Sequence, residues 1–127
     1  MNHPFDPIRG LIVVPTRLRG PIGDTVARLA LDTGATRTLV SWQVALSVGY
    51  EPATSAKRIE ITTGSGVEFA PEIIVDSIEA LSQIRESISI VCHTLPPSAT
   101  VDGVLGLDFL RGKRLEVDFR AGRLRVE

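Results

Sequence analysis

The chain has a single cysteine, Cys92, so no disulfide can form within it, which fits a reducing compartment. Neither charge is in surplus, with 14 Lys and Arg against 15 Asp and Glu. That balance excludes the basic footprint of a nucleic-acid binder. Bases gather between Arg111 and Arg125, but Glu116, Asp118 and Glu127 interleave with them. No apolar run reaches the roughly 20 residues of a membrane-spanning helix. The start, Met1-Asn2-His3-Pro4-Phe5-Asp6-Pro7, lacks the basic-then-apolar form of a secretion signal. His93 has no set of cysteines and histidines around it to make a metal cluster, and neither a metal nor a cofactor is expected. The expected setting is cytoplasmic, with a periplasmic or membrane-tethered one left open should the chain be part of a longer protein.

Aromatics are few, whereas Val, Ile and Leu are abundant and Gly and Pro recur at short spacing. That mixture predicts a small β-rich protein with many turns. At 127 residues the chain is long enough for one domain with its own core. Residues 1–9, with Pro4 and Pro7, read as an irregular arm ahead of a single domain over 10–127. Leu11 to Val14 reads as a short strand ending near Pro15, 17–23 as a connection, and Asp24 to Leu31 as a second strand forming a hairpin with the first. Thr38 to Val40 follows as a strand, then a short helix over 41–46 with Ser41 as its cap. Two β-type runs, Lys57 to Thr62 and Val67 to Val75, flank the hairpin tip Thr63-Gly64-Ser65-Gly66. Over 76–84, Ile78, Leu81 and Ile84 recur at helical spacing, which suggests a short helical piece, with strand and loop nearly as good a reading. Ser87 to His93 is a strand, Pro96-Pro97 fixes a loop, and Leu107 to Leu110 starts a short helix. Arg114 to Val126 is a closing hairpin.

Two stretches stand out. In Ala30-Leu31-Asp32-Thr33-Gly34-Ala35 an apolar strand ends abruptly in an acid, a hydroxyl and a glycine, groups that are costly to place there without partners. Taken alone this is an ordinary turn. In Val104-Leu105-Gly106-Leu107-Asp108-Phe109-Leu110 an apolar run again carries glycine and acid. Together with the glycine-tipped hairpin between them, these stretches resemble the retropepsin-like aspartic proteases, in their bacterial or cellular branch, over residues 10–126. The resemblance implies an all-β, partly barrel-like acid-protease fold with one or two short helices and a flap hairpin, working as a homodimer with its active site on the two-fold axis.

The resemblance also implies roles. Asp32 would be the catalytic carboxylate, Thr33 a brace across the dimer, and Gly34 a close-approaching backbone donor. Ala35 would line the floor of a substrate cleft, with Thr63, Gly64, Ser65 and Gly66 as the flap tip above it. Val104, Leu105 and Gly106 would pack behind the Asp32 loop, and Leu105, with Leu29, Val40 and Ile61, would offer apolar pocket surface to an extended peptide or protein substrate. The chemistry needs two carboxylates sharing a proton, and the chain has one Asp-Thr-Gly, so each subunit would supply one Asp32. Pairing of Asp32 with Asp102 or Asp108 inside one chain is the rival; Asp102 reads better as a loop acid and Asp108 as a structural one. Arg37 departs from the family pattern. It reads either as a solvent-facing arginine or as a cation acting on Asp32 or on an acidic substrate residue. The alternatives to a protease are a catalytically inactive dimerisation or peptide-binding domain of the same fold, and a small β protein with an incidental turn at Asp32.

Overall fold

The computed structural model describes residues 1–127, the side chain of Thr63 excepted. Ten strands and two short helices follow in the order β1 (Asn2–Pro4), β2 (Val13–Gly20), β3 (Gly23–Leu31), β4 (Leu39–Val40), α1 (Trp42–Ser47), β5 (Arg58–Thr63), β6 (Gly66–Ala80), β7 (Gln83–Cys92), β8 (Gly103–Leu105), α2 (Leu107–Leu110), β9 (Leu115–Asp118) and β10 (Arg123–Val126), with a 3-10 turn at Pro52–Thr54. The large sheet runs β2-β3-β8-β4-β7-β6-β5, and β2 pairs again with β6. That second pairing closes β2, β3, β8, β4, β7 and β6 into a ring, which removes their free edges. β5 stays outside the ring, paired only to the first part of β6. A second sheet, β1-β10-β9, joins the two chain ends.

Alternation fills the ring. Along β2, Val14, Thr16 and Leu18 are buried while Pro15, Arg17 and Arg19 face outward. Ala27 and Leu29 on β3 share the interior with Val75 and Ile78 of β6, Ile90 and Cys92 of β7, Leu105 and Phe109. Burial pushes the Cys92 thiol up to about 12, so it packs as a small apolar group and is not a nucleophile. Trp42 packs partly buried against this core, and Ser41 caps α1 by accepting the Val44 N–H.

Four expectations change. The arm is not wholly irregular: Asn2 to Pro4 pair with Arg123 to Arg125 of β10, and the Phe5 N–H bonds the Gly122 carbonyl. The segment 17–20 is not a connection, because β2 runs through Pro15 to Gly20. The Leu31 N–H bonds the Ile12 carbonyl, so residues 12, 14 and 16 turn their N–H groups toward β3. Residue 15 therefore turns its nitrogen away, to the side where β6 pairs only with 17–19, and a proline costs no ladder bond there. The third change is at 76–84, which is not helical: β6 continues to Ala80 and pairs with β7 across the two-residue turn Leu81-Ser82. Both turn residues have positive φ, 53° and 60°, the geometry of a type I′ hairpin, without the Asn-Gly that usually announces it. The fourth is β7, which begins at Gln83.

Candidate active site

The Asp32 loop sits where β3 ends. β8 threads between β3 and β4, parallel to the first (Leu31 beside Leu105) and antiparallel to the second (Leu39 beside Val104). This crossing requires two glycines. A Cβ on Gly103 would lie 1.9 Å from the Leu39 carbonyl oxygen, and one on Gly106 would lie 2.7 Å from the Arg37 carbonyl and 2.8 Å from that of Ala35.

Backbone bonds pin the loop from both sides. The Asp32 N–H donates to the Leu105 carbonyl at 3.0 Å, and the Leu107 N–H donates to the Ala35 carbonyl at 2.8 Å. Inside the loop the Ala35 N–H reaches the Asp32 carbonyl at 3.2 Å, and the Gly34 N–H donates to Asp32 Oδ1 at 2.9 Å. Among the described residues, that is the one hydrogen bond made to the Asp32 carboxylate, which lies partly exposed. Thr33 and Gly34 are exposed beside it.

Behind the loop is a polar core. Asp108 accepts the Thr38 N–H at 2.8 Å, the Thr38 hydroxyl at 2.6 Å and the Phe109 N–H at 2.8 Å. The Thr38 hydroxyl, itself fully buried, accepts the Gly106 N–H at 3.1 Å. Among the described residues no buried side-chain nitrogen or oxygen lacks a partner. Asp102 takes the Arg28 N–H at 2.8 Å, while the Arg28 guanidinium donates to the Thr100 carbonyl at 2.6 Å, so this acid fastens the 95–102 loop to β3. Neither Asp102 nor Asp108 pairs with Asp32.

A cavity of about 390 Å³ opens next to the loop, between it and the β5–β6 hairpin. Gly34, Ala35, Leu39 and Val104 line its floor, and Ile59 and Ile61 of β5 line its cover. Of the four expected pocket side chains Ile61 lies there. Leu29, Val40 and Leu105 do not: they are 0–1 % exposed and fill the barrel, because their alternation points them inward. Leu105 meets the loop through its carbonyl, which accepts the Asp32 N–H. Gly64, Ser65 and Gly66 form the exposed end of the hairpin, with Gly66 at φ 116°; the side chain of Thr63 lies outside the described residues.

Arg37 is not a free solvent-facing arginine and makes no bond to Asp32, although it also lines the cavity, where the reading of a cation toward an acidic substrate residue stays untouched. Its Nη2 donates to Glu72 Oε2 at 3.0 Å and to the Ser89 hydroxyl and carbonyl at 3.0 and 3.2 Å, and its Nε lies 3.9 Å from Asp108 Oδ2. Glu72 also holds Lys57 at 3.1 Å. Burial alone would raise the Glu72 carboxyl, but Lys57, Arg37 and Ser89 outweigh it and hold it below the usual carboxylate range. Sequence reading missed Glu72 and Ser89; each sits on a strand, far along the chain from Asp32, with no local motif. A further polar contact, His93 Nε2 to Glu68 Oε2 at 2.8 Å, ties the upper part of the hairpin to the end of β7.

Among the described residues no group of three His, Cys, Asp or Glu is placed to hold a metal, and no helix is long and apolar enough to cross a membrane. The site therefore offers one open carboxylate, a rigid backbone behind it, and a largely apolar cavity beside it, with Arg37 and Glu60 also on its wall.

A family model described as "gag-polyprotein putative aspartyl protease" matches residues 18–112. The fold matches the crystal structure of a retropepsin-like aspartic protease from Rickettsia conorii with a TM-score of 0.70, at 16% sequence identity, covering 100% of this chain and 98% of that one. No curated protein matches the chain significantly in sequence.

Proposed function

The chain belongs to the gag-polyprotein aspartyl protease family, and from that premise we propose that it is an aspartic endopeptidase whose active site is completed by a second copy of itself. One observation carries this reading. The Asp32 carboxylate stands at the open side of a rigid loop with one internal hydrogen bond, beside a largely apolar cavity, while Asp102 and Asp108 are spent on structure. Residues 10–127 act as one protease domain with 1–9 as its arm.

Two Asp32 side chains meeting on a two-fold axis share one proton, since like charges in contact do not both ionise. The ionised carboxylate takes a proton from a water held between them. The water oxygen attacks the scissile carbonyl carbon, and the protonated partner donates a hydrogen bond to the carbonyl oxygen as it gains negative charge. Transfer of a proton to the peptide nitrogen then releases the amine. Gly34 contributes by its N–H, which holds Asp32 Oδ1 in place. Thr33, exposed on the single chain, braces its counterpart across the axis in this reading. The β5–β6 hairpin serves as the flap, with Thr63, Gly64, Ser65 and Gly66 at its tip closing over an extended peptide. Ala35, Leu39, Val104, Ile59 and Ile61 favour an apolar substrate side chain in the cavity beneath it.

The test is cleavage of a broad peptide library by the purified dimer between about pH 3 and pH 7, the range in which a shared-proton carboxylate pair works. Wild type is expected to cut and Asp32→Asn to be inert with unchanged circular dichroism and dimer mass. A wild-type dimer that cuts nothing makes this an inactive binding module of the same fold.

A further inference from the structure

The cavity beside Asp32 has a floor and a cover that belong to different parts of the chain. The floor is the Gly34 to Arg37 part of the Asp32 loop with Leu39 and Val104; the cover is β5, which lies outside the closed ring and pairs with β6 alone in the sheet. What joins them is one cluster of side chains. Glu72 sits on β6 next to the base of β5, where its own N–H bonds the Lys57 carbonyl and its carbonyl accepts the Ser55 hydroxyl. Its side chain is 8% exposed, and its carboxylate takes Arg37 on one oxygen and Lys57 on the other. Arg37 belongs to the loop, five positions after Asp32, and reaches across to Ser89 of β7 and toward Asp108. Asp108 in turn holds Thr38, and Thr38 holds Gly106. A continuous path of hydrogen bonds and ion pairs thus runs from the base of the hairpin to the strand crossing behind Asp32.

We propose that Arg37 and Glu72 are positioning residues: they lock the foot of the β5–β6 hairpin to the Asp32 loop, so that the cover and the floor of the cavity move as one body. Four features favour this over a merely stabilising surface pair. The Glu72 side chain is nearly buried, so water screens it little. Arg37 joins groups on two different strands, Glu72 of β6 and Ser89 of β7, at one nitrogen, Nη2, while its Nε stays 3.9 Å from Asp108 Oδ2, a reach and a second nitrogen that the single ammonium of lysine lacks. Among the described residues the charged groups paired with Glu72 are cations, Lys57 from the segment before β5 and Arg37 from the loop, with Asp108 on the far side of Arg37. The carboxylate stays ionised to a lower pH than an ordinary glutamate, so the lock holds in mild acid. Pulling on β5, as a peptide in the cavity would do, is then felt at Ala35 and Thr38.

The role in turnover rests on the peptidase reading; the mechanical link does not, and the experiment separates them. Hydrogen exchange is followed in wild type, Arg37→Gln, Glu72→Gln and Arg37→Lys at three places: the β5 amides from Ile59 to Thr62, the loop amides of Ala35 and Thr38, and the β10 amides from Arg123 to Val126 as reference. In both glutamine variants protection at β5 and at the loop is expected to fall together, by about tenfold, with β10 unchanged. Arg37→Lys restores it only in part. Lys57→Ala, which removes a partner that is 72% exposed, leaves the loop amides as they were. Where wild type cleaves peptide, kcat falls by about tenfold in Glu72→Gln while KM stays within about twofold, as expected when positioning and not binding is lost. Loss of protection at β5 alone, at the loop alone, or equally at β10 overturns the proposal, the last by making the pair a general stability element. A wild type that cleaves nothing but shows the joint loss keeps the link and removes the peptidase reading.

Discussion

Asp32 and Asp108 occupy similar places in the sequence, each directly after an apolar residue and two positions from a glycine, yet the structure treats them in opposite ways. Asp108 receives three N–H or O–H donors at 2.6–2.8 Å and lies with its side chain 16% exposed. Asp32 receives one donor, from Gly34 at 2.9 Å, and leaves the rest of its carboxylate toward the open side of the loop. The difference teaches how a reagent and a scaffold are told apart. An acid that accepts several donors inside the chain builds structure. An acid held by its backbone, with lone pairs left over, is free to meet a substrate, a water or a second copy.

The contrast breaks most visibly at Asp32 itself. Asp32→Asn keeps an oxygen for the Gly34 N–H, so the melting curve should not move, while peptide cleavage falls by at least about 10²–10⁴-fold because the shared-proton pair is gone. Asp108→Ala should do the reverse. It strands the Thr38 N–H and removes the acceptor of the Thr38 hydroxyl, while the Phe109 N–H keeps the Gly106 carbonyl at 3.2 Å, and urea unfolding should show a loss of about 2–3 kcal/mol. Gly106→Ala comes next: its Cβ would press on the Arg37 and Ala35 carbonyls at 2.7–2.8 Å, costing about 1–3 kcal/mol in the same measurement.

The smallest effect is one of pH. The folded Glu72 carboxyl lies below its unfolded value, so its contribution is fully present above the ordinary glutamate range and is lost as pH falls through the folded value. Unfolding midpoints of wild type should therefore decline on acidification more steeply than those of Glu72→Gln, and the two should draw together in strong acid.

Much of this was legible in the chain. The Asp-Thr-Gly turn, the Val104-Leu105-Gly106 stretch, the Ser41 cap and the β-rich pattern are local signals, carried by neighbours in sequence. The structural reading of Asp102 and Asp108 also followed from their local setting. What was not legible has physical reasons. The Leu81-Ser82 turn takes positive φ without glycine or asparagine, so nothing marked it, and the isoleucines around it fell by chance on a helical spacing. β1 exists only because β10 offers it an edge. Leu29, Val40 and Leu105 were expected to face a ligand because they flank the motif; strand alternation turns them into the core instead. Arg37 was read against its neighbours, whereas its partners, Glu72 and Ser89, arrive from β6 and β7 through tertiary pairing.

The separation of the two Asp32 carboxylates in a crystal of the purified protein tests the central claim most directly. The account predicts a two-fold dimer in which they approach to about 3 Å, with one water bridging both. A monomer, or a dimer that keeps the two carboxylates beyond the reach of a shared water, would contradict it.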